Sequence, residues 1–345
     1  MSHAETNKIA DNIALKLTPH IGNKTFVHSR LMPAIKNILP WIAVFAIFSY
    51  LFWDIDKTQF LTSLSYANIY TYVPGLIVFG MIAFLLDTQN LYAIFNHFKY
   101  NMKFTDILPM RGVTYLLMII NFNLGMGGIL YFLKRDQDIS IKRGTGLMLI
   151  YNTATQNSLF ILSIIGCLIA PHSDIIRKIL IFSIICVSVN FLWVAVLKKL
   201  PDRGNFSKFK TLAWVKVYHE IPFNSYLLIT FWRCVYYSTF ILFFYLGVRA
   251  FNMAIPLLLL TAYVPIILLI ISLPVTPFGL GTSQAAMILF FKDFGSEANI
   301  LAFGITYSTS VIIIRGIIGL FYLKKSQGIR SIKRGIQMEN ANEKI

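Results

Sequence analysis

Charged residues are scarce in this 345-residue sequence, where Asp, Glu, Lys and Arg together make up 13% of the chain. A soluble globular protein carries about 25% charged residues, so the scarcity argues against a soluble enzyme. The charges leave six long uncharged runs, at 37–53, 58–86, 112–133, 144–173, 179–197 and 250–291. About 20 apolar residues cross a bilayer as a helix. The runs therefore predict an all-α, polytopic integral membrane protein.

Cysteine and histidine are also rare. The three cysteines lie inside apolar runs, and the six histidines never pair at metal-ligand spacing. This pattern excludes a disulfide-stabilised secreted domain and predicts no metal site. No nucleotide-binding loop is found either, so we expect no cofactor. The polar, basic segment 1–36 lacks a compact apolar core, which predicts that no signal peptide is cleaved from it.

Basic residues exceed acidic ones by 31 to 15, and they are unevenly placed. Five segments hold 24 of them, while four other connections hold five. The rich segments are 1–36, 87–111, 134–143, 198–220 and 324–345. Because cytoplasmic loops retain Lys and Arg, we expect both termini and the middle loop on the cytoplasmic side of the plasma membrane. Basic charge beside a bilayer does not predict nucleic-acid binding.

The first glycine-rich stretch predicts a helical hairpin. If 112–133 crossed the membrane fully, the basic segment 134–143 would lie outside. We therefore predict that residues 107–143 enter from the cytoplasm, turn at 124–128 and return to the same side. Gly125 and Gly127 would form the break, because glycine weakens helices and broken backbone at membrane depth needs protein or water around it.

The longest uncharged run, 250–291, must also fold back or cross twice. A helix of this length would reach about 63 Å, twice the hydrocarbon thickness. Five residues supply a break within it: Pro265, Pro274, Pro277, Gly279 and Gly281. The charge count leaves both ends of this run outside, which predicts a hairpin that enters from the outer side.

The two breaks indicate an internal repeat. Residues 123–128 and 277–282 align at an offset of 154, and the flanking spans nearly keep that offset. A first unit at about 69–170 would then run opposite to a second at about 226–323. Inverted repeats of this kind place transporter substrates near the membrane midplane. We expect about six full spans plus two re-entrant hairpins, or eight spans if the hairpins cross.

The second break, followed by an apolar helix and a span carrying Arg315, resembles the lysylphosphatidylglycerol synthase transmembrane region, a flippase-like family. The first break, followed by basic residues 134–135, is similar to the family's other signature. The resemblance covers roughly 37–323 and implies a lipid-handling membrane domain. The family usually has an acidic residue shortly after each break, where this sequence has Ile129 and Gln284, so we predict no carboxylate role there. The soluble aminoacyl-transfer domain of some members is missing, and we expect no enzyme activity.

Two isolated arginines are the strongest candidates for binding a substrate. Arg233 and Arg315 each lie within an apolar stretch, where a charge costs about 2.5–3.5 kcal/mol on insertion scales. Such residues usually face protein or a wet cavity, and the planar guanidinium suits a lipid phosphate. The alternative is that both snorkel or pack against carbonyls of the broken helices.

Three polar residues beside the breaks are further candidates. Gln284 begins the helix after the second break, where free N–H groups favour an anion, although ordinary helix capping would explain it equally well. Asn121 and Asn123 lie beside the first break and could either contact a head group or satisfy broken backbone.

Together these features predict one membrane domain at 37–323 between a cytoplasmic N-terminal segment, 1–36, and a cytoplasmic tail, 324–345. We expect it to move a phospholipid or polyprenyl-linked lipid between leaflets without hydrolysing nucleotide. The alternative is a secondary transporter of a small solute or ion that uses the same hairpins. Membrane lipids are the expected partners; a homodimer and a separate lipid-modifying enzyme are left open.

Overall fold

The structure, a computed structural model, describes residues 56–100, 102–120, 122–171, 173–199, 212–272, 276 and 279–342, together with Ser49 and Trp53. Side chains at 120, 122–123 and 324–342 are not part of this description. Eleven α-helices make up most of these residues. They are α1 (Lys57–Ser65), α2 (Ile69–His97), α3 (Phe104–Ile120), α4 (Phe122–Gln137), α5 (Ile141–Ile169), α6 (Asp174–Lys199), α7 (Ala213–Glu220), α8 (Phe223–Ala250), α9 (Leu257–Ser272), α10 (Thr282–Phe291) and α11 (Glu297–Asn342).

Five of these helices are long and apolar enough to cross a membrane: α2, α5, α6, α8 and the part of α11 up to Leu323. The helices α9 and α10 are apolar but shorter. The outer faces of the long helices expose large apolar side chains, as lipid-facing helices do. Examples on α6 are Ile181, Phe182, Val189 and Leu192. The span predicted near 37–53 lies outside the described residues.

The long helices pack around a central pair, α2 and α8. Aromatic rings fill this contact: Phe79 stacks on Phe243 at 4.5 Å between ring centroids and meets Phe240 edge-on at 4.8 Å. The helix α3 packs along α11, and α9 packs along α5. The helices α3 and α9 therefore each lie against a long helix that is distant in the sequence.

Polar contacts define the two ends of the bundle. At one end, Arg143 at the start of α5 donates to Glu220 at the end of α7 (2.6 Å) and to the Tyr100 hydroxyl (2.7 Å). At the other end, the backbone N–H of Asn68 donates to the backbone carbonyl of Ala250 at 2.8 Å. The segments predicted to be cytoplasmic thus meet at the first end, which we call the α7 end.

The predicted loop at 87–111 is wrong in its extent. The helix α2 continues ten residues beyond Asp87, and α3 begins at Phe104, so the connection is short. Asp87 and Arg111 both lie inside helices and are buried. In the sequence, a charge at the edge of an apolar run looks the same whether the helix ends there or continues. The charges alone therefore predict a loop at Asp87 and Arg111.

The first glycine-rich stretch is helical, so it does not form the predicted non-helical turn. Gly125 and Gly127 lie in the first turns of α4, which begins at Phe122, two positions after the end of α3. A Cβ at Gly125 would overlap Met118 of α3, and one at Gly128 would lie 2.6 Å from a methyl group of Leu117. Glycine here lets α3 and α4 pack closely, as small residues do in membrane helices.

The second break is non-helical. Gly279 and Gly281 lie between α9 and α10 with φ of 65° and 84°, in the left-handed region that glycine adopts readily. Pro274 and Pro277 belong to the same connection but lie outside the described residues. The run 250–291 is therefore divided into two helices, neither of which is long enough to cross the membrane alone.

Two further segments are more helical than the sequence indicates. The basic segment predicted at 198–220 contains α7, whose Val215, Val217 and Tyr218 are buried. The predicted tail from 324 continues α11 as far as Asn342. The side of the membrane on which each segment lies stays a prediction.

We expect Gly166→Ala to destabilise the protein by about 1–3 kcal/mol, the usual cost of overpacking. A Cβ at Gly166 of α5 would overlap the backbone of Thr261 and Ala262 in α9, which cannot yield as a side chain can. Gly127→Ala is the matched control, since nothing lies within 4 Å of its Cβ position. Thermal unfolding in detergent measures both variants, and an equal effect of the two would contradict this account of the α5–α9 contact.

Candidate functional site

A buried carboxylate organises a cluster of charged and aromatic side chains within the helical bundle. Asp87 of α2 has a side chain that is 1% exposed, and it receives hydrogen bonds on both oxygens. Its Oδ2 accepts from Arg111 Nε and the Tyr115 hydroxyl, each at 2.8 Å. Its Oδ1 accepts from the Tyr151 hydroxyl at 2.6 Å and from Arg233 Nη1 at 3.0 Å. We call these five residues the Asp87 cluster.

Four helices supply the cluster, so it depends on the packing of the whole bundle. Asp87 comes from α2, Arg111 and Tyr115 from α3, Tyr151 from α5 and Arg233 from α8. Asp87 lies ten residues before the end of α2, and Arg233 lies ten residues after the start of α8. At 1.5 Å per residue, both are about 15 Å from the α7 end, close to half the thickness of the hydrocarbon core.

Aromatic rings surround Arg233. Its guanidinium carbon lies 4.5 Å from the ring centroids of Tyr151 and Tyr236, and 4.8 Å from that of Tyr237. Its Nη2 also donates to the Tyr237 hydroxyl at 2.9 Å. Cation–π contacts stabilise a desolvated cation, by about 2 kcal/mol or more at such sites. The predicted location of Arg233 inside the protein is therefore explained by an aspartate and three tyrosines.

Arg315 of α11 adjoins the cluster but is differently placed. Its guanidinium carbon lies 5.4 Å from the centroid of the Tyr115 ring. Among the described residues, it makes no hydrogen bond or ion pair. The side chain is partly exposed and lies on the face of α11 that meets Tyr115. This face is opposite to Ile313 and Ile317, because residues two positions apart on a helix point in nearly opposite directions. Arg315 is thus a cation at membrane depth that remains available to a ligand.

The site carries more positive than negative charge. One carboxylate, Asp87, faces two buried arginines, and Arg315 adds a third cation. The side chains of Arg111 and Arg233 are only 4% and 3% exposed. Arg111 Nη1 and Arg233 Nε are buried donors with no hydrogen-bond partner among the described residues. Unpaired buried donors of this kind call for an acceptor, and an anion would supply one.

Gln284 is engaged in local structure. Its Oε1 accepts from the Gly281 amide at 2.7 Å, which caps α10. Its Nε2 donates to the Gly304 carbonyl and to the Ser308 hydroxyl on α11, each at 3.1 Å. The contact with Gly281 is the helix cap that the alternative predicts. The other two contacts join α10 to α11. The partners of Gln284 do not include any member of the Asp87 cluster.

The other predicted residues are not brought to the cluster by any described contact. Asn121 and the side chain of Asn123 lie outside the described residues, as do Pro274 and Pro277. Gly125 packs against α3 and Gly127 lies exposed on α4, while Gly279 and Gly281 shape the connection between α9 and α10. In the described part of the chain, no three His, Cys, Asp or Glu side chains form a group that could hold a metal ion.

Sequence reasoning missed Asp87, Arg111 and the tyrosines. A signal for Asp87 was present, because Leu91, Ile94 and Phe95 continue a helical apolar spacing beyond it. That spacing predicts a helix that continues past the charge, and hence a buried carboxylate. The tyrosines gave no comparable signal, since aromatic residues are abundant throughout the chain.

Five apolar helices of spanning length around a buried ionic cluster define a multi-pass α-helical membrane protein. The chain belongs to the lysylphosphatidylglycerol synthase TM region family, whose model matches residues 38–319, more than half of the sequence. The family relates the protein to lipid handling in membranes. No curated protein and no solved structure shows a significant match to this chain.

Proposed function

We propose that the protein moves a lipid between the leaflets of the bilayer, as a flippase-like translocator without nucleotide hydrolysis or covalent chemistry. The observation that carries the proposal is the excess of positive charge at the Asp87 cluster and Arg315, at membrane depth. A charge in this position is usually functional, because burying it is costly. The head group of a phospholipid carries a phosphate, which is the natural partner of an arginine.

The roles of the residues follow from their positions. Arg315 is partly exposed on the face of α11 that meets Tyr115 and would meet the phosphate first. Arg233 and Arg111, already buried, would offer further donors deeper in the protein. Tyr115 and Tyr151 hold Asp87 between these arginines, and Tyr115 also lies under Arg315. A lipid could exchange partners along this series without leaving a charge unpaired.

The packing of the helices supports an inverted repeat with two re-entrant hairpins. In the first proposed unit, α3 and α4 pack on each other and α4 packs on α5; in the second, α9 and α10 pack on each other and α10 packs on α11. Each hairpin also contacts the long helix of the other unit, α3 on α11 and α9 on α5. The correspondence is that expected of two units related by a pseudo-twofold axis.

The lengths of the hairpin helices also support re-entrance. The helices α3, α4 and α9 are 17, 16 and 16 residues long and α10 has 10, which gives about 25 Å or less for each. The start of α3 and the end of α4 lie near the α7 end, where Tyr92 meets Phe104 and Tyr100 meets Arg143. Tyr263 stacks on Phe290 at 4.8 Å, so the middle of α9 lies beside the end of α10.

The proposal predicts that the purified protein accelerates phospholipid movement in liposomes. A fluorescent phospholipid is followed as a membrane-impermeant reductant bleaches the outer leaflet. We expect faster loss of the inner-leaflet signal than in protein-free liposomes, and a fall of about tenfold with Arg315→Gln, as removing a charged hydrogen bond of 1.5–3 kcal/mol requires.

Arg249→Gln is the matched control for this assay. Arg249 also stacks on a tyrosine, with 5.3 Å to the Tyr245 centroid, but it lies at the far end of α8 and away from the cluster. Its variant should move lipid at the wild-type rate. If no phospholipid moves faster than in protein-free liposomes, lipid translocation is wrong and the small-solute transporter becomes the leading alternative.

A further inference from the structure

A track of polar side chains leads from α7 to the Asp87 cluster. On α8, Tyr226, Thr230 and Arg233 recur at helical spacing and are all buried, so they share one inward face. Near the start of this face, Asn157 of α5 donates through Nδ2 to the Tyr226 hydroxyl at 2.8 Å. We call Asn157, Tyr226 and Thr230 the polar track. It ends at Arg233, a member of the cluster, about two helical turns beyond Tyr226.

The helix α7 covers the near end of the polar track. Its Tyr218 is buried, and the Tyr218 hydroxyl lies 3.1 Å from the Thr153 hydroxyl of α5. Thr153 is one turn before Asn157 on the same face of α5. A Cβ at Gly146 of α5 would lie 2.9 Å from backbone atoms of Trp214, so the backbone of α7 rests directly on α5. The short helix thus lies between the polar track and the α7 end of the bundle.

The polar track contains a group whose hydrogen bonding is incomplete. Asn157 is fully buried, and its Oδ1 accepts no hydrogen bond from the described residues. An unpaired buried acceptor is costly, and such groups are usually paired with water or a ligand. Water would reach this oxygen if α7 moved away from Thr153. The track therefore has a reason to open that a dry, fully paired helix contact would lack.

The polar contacts that hold α7 are concentrated at its last turn. Glu220 accepts from Arg143 at 3.2 and 2.6 Å, and both side chains are about one-third exposed. Lys198 of α6 donates to the Ile221 carbonyl just beyond the helix. At the other end of α7, Leu212 provides no side-chain cap. We call the Glu220–Arg143 pair the latch. Exposed ion pairs are weak and are screened by salt, so the latch can break while the bundle stays folded.

We propose that α7 is a gate, which the latch holds shut and whose opening connects the polar track to the α7 end of the bundle. This inference rests on the proposed function for what passes the gate, and it adds how access is controlled. A small free-energy difference between the two positions of α7 suffices, because a weak contact can shift such an equilibrium severalfold.

Thiol labelling in detergent measures the opening without transport. The reporter is Asn157→Cys in a protein whose native cysteines, Cys167, Cys186 and Cys234, are replaced by alanine. A small water-soluble maleimide reacts with a buried thiol in proportion to the population of the open state. We expect Glu220→Gln to speed labelling by up to about fivefold, which corresponds to about 1 kcal/mol, and added salt to act in the same direction. The charge exchange Arg143→Glu with Glu220→Arg should restore slow labelling.

Ser163→Cys is the matched control for the reporter. Ser163 is equally buried on the same helix, but it lies against α9, where its hydroxyl donates to the Ala262 carbonyl. Its labelling should stay slow in every latch variant. Equal acceleration at both positions would mean that the whole bundle loosens, and it would overturn the gate. Labelling of Asn157→Cys that does not respond to Glu220→Gln would overturn it as well.

A covalent latch tests the gate in lipid movement. In the same cysteine-free background, Arg143→Cys and Glu220→Cys place two thiols where the ion pair shows that the side chains face each other. A short bis-maleimide that joins them should slow lipid movement in liposomes at least about tenfold, while a mono-maleimide on the same variant should not. Equal lipid movement after the two treatments would overturn the gate and leave translocation standing. Absence of lipid movement in the wild type would overturn translocation, and the labelling experiment then decides on the gate alone.

Discussion

Asp87→Asn should lower the free energy of unfolding by about 3–5 kcal/mol, the usual result of removing one partner from a buried ionic group. Asparagine has nearly the same shape, but its single oxygen can accept from only one of Tyr115 and Tyr151, whose hydroxyls bond different oxygens of Asp87. Its NH2 group can donate to the other hydroxyl. It removes the one negative charge that faces Arg111 and Arg233, whose side chains are almost fully buried. The expected effect is thus electrostatic, and thermal or denaturant unfolding of the purified protein in detergent measures it.

Glu220→Gln is the control for this experiment. The Glu220–Arg143 pair is bidentate, with distances of 3.2 and 2.6 Å, but both side chains are about one-third exposed. Exposed ion pairs contribute at most about 1 kcal/mol, so this variant should be only slightly less stable than the wild type. If Asp87→Asn were as mild as Glu220→Gln, the two arginines would be compensated by other means and the described electrostatics would be wrong.

Replacing the whole Asp87 cluster with apolar residues should separate stability from function. The variant combines Asp87→Leu, Arg111→Met, Arg233→Met, Tyr115→Phe and Tyr151→Phe, so that no charge or hydroxyl of the cluster is left without its partner. The half-buried Tyr237 hydroxyl is the one group outside the cluster that loses its hydrogen bond to Arg233. Apolar replacement of buried ionic groups is often neutral, or stabilising by about 1–4 kcal/mol. We expect unfolding at or above the wild-type temperature and lipid movement reduced to the rate of protein-free liposomes.

Circular dichroism and size-exclusion chromatography establish that the five-fold variant is helical and monodisperse before its transport is measured. Lipid movement that persists in a well-folded five-fold variant would show that the cluster is structural and that the head group passes elsewhere. A poorly folded protein would instead mean that the cluster specifies the packing of α2, α3, α5 and α8. In that case Arg315→Gln, which breaks no hydrogen bond among the described residues, carries the functional test.

The sequence was sufficient for the membrane class, and it singled out Arg233 and Arg315 as candidates. The uncharged runs are visible in the sequence itself. They predict membrane helices because the hydrocarbon core of a bilayer excludes charged residues over a length of about 20 residues. Arg233 and Arg315 stand out for the same reason, as single charges inside long apolar stretches. In the structure, Arg233 belongs to the Asp87 cluster and Arg315 lies over the Tyr115 ring of the same cluster, so the two arginines are close to each other.

What the sequence could not supply was the set of partners. The separation in sequence between Asp87 and Arg233 is 146 residues, so their contact depends on how α2 packs on α8. The helical packing of Gly125 and Gly128 depends likewise on the close approach of α3, which the glycine content alone does not reveal. Charges at the edges of apolar runs were misread because their burial depends on neighbouring helices.

The packing of α3 against α11 has a consequence for biosynthesis. The chain between the end of α3 at Ile120 and the start of α11 at Glu297 must be made before this contact can form. At 5–20 residues per second, that interval is roughly 10–40 s. During this time the first hairpin lies in the bilayer without its principal neighbour, and Arg111 also lacks the α8 side of its cluster. The newly made chain thus has a period in which chaperones or other membrane proteins could shield the hairpin, and the two halves of the protein can complete their folding only together.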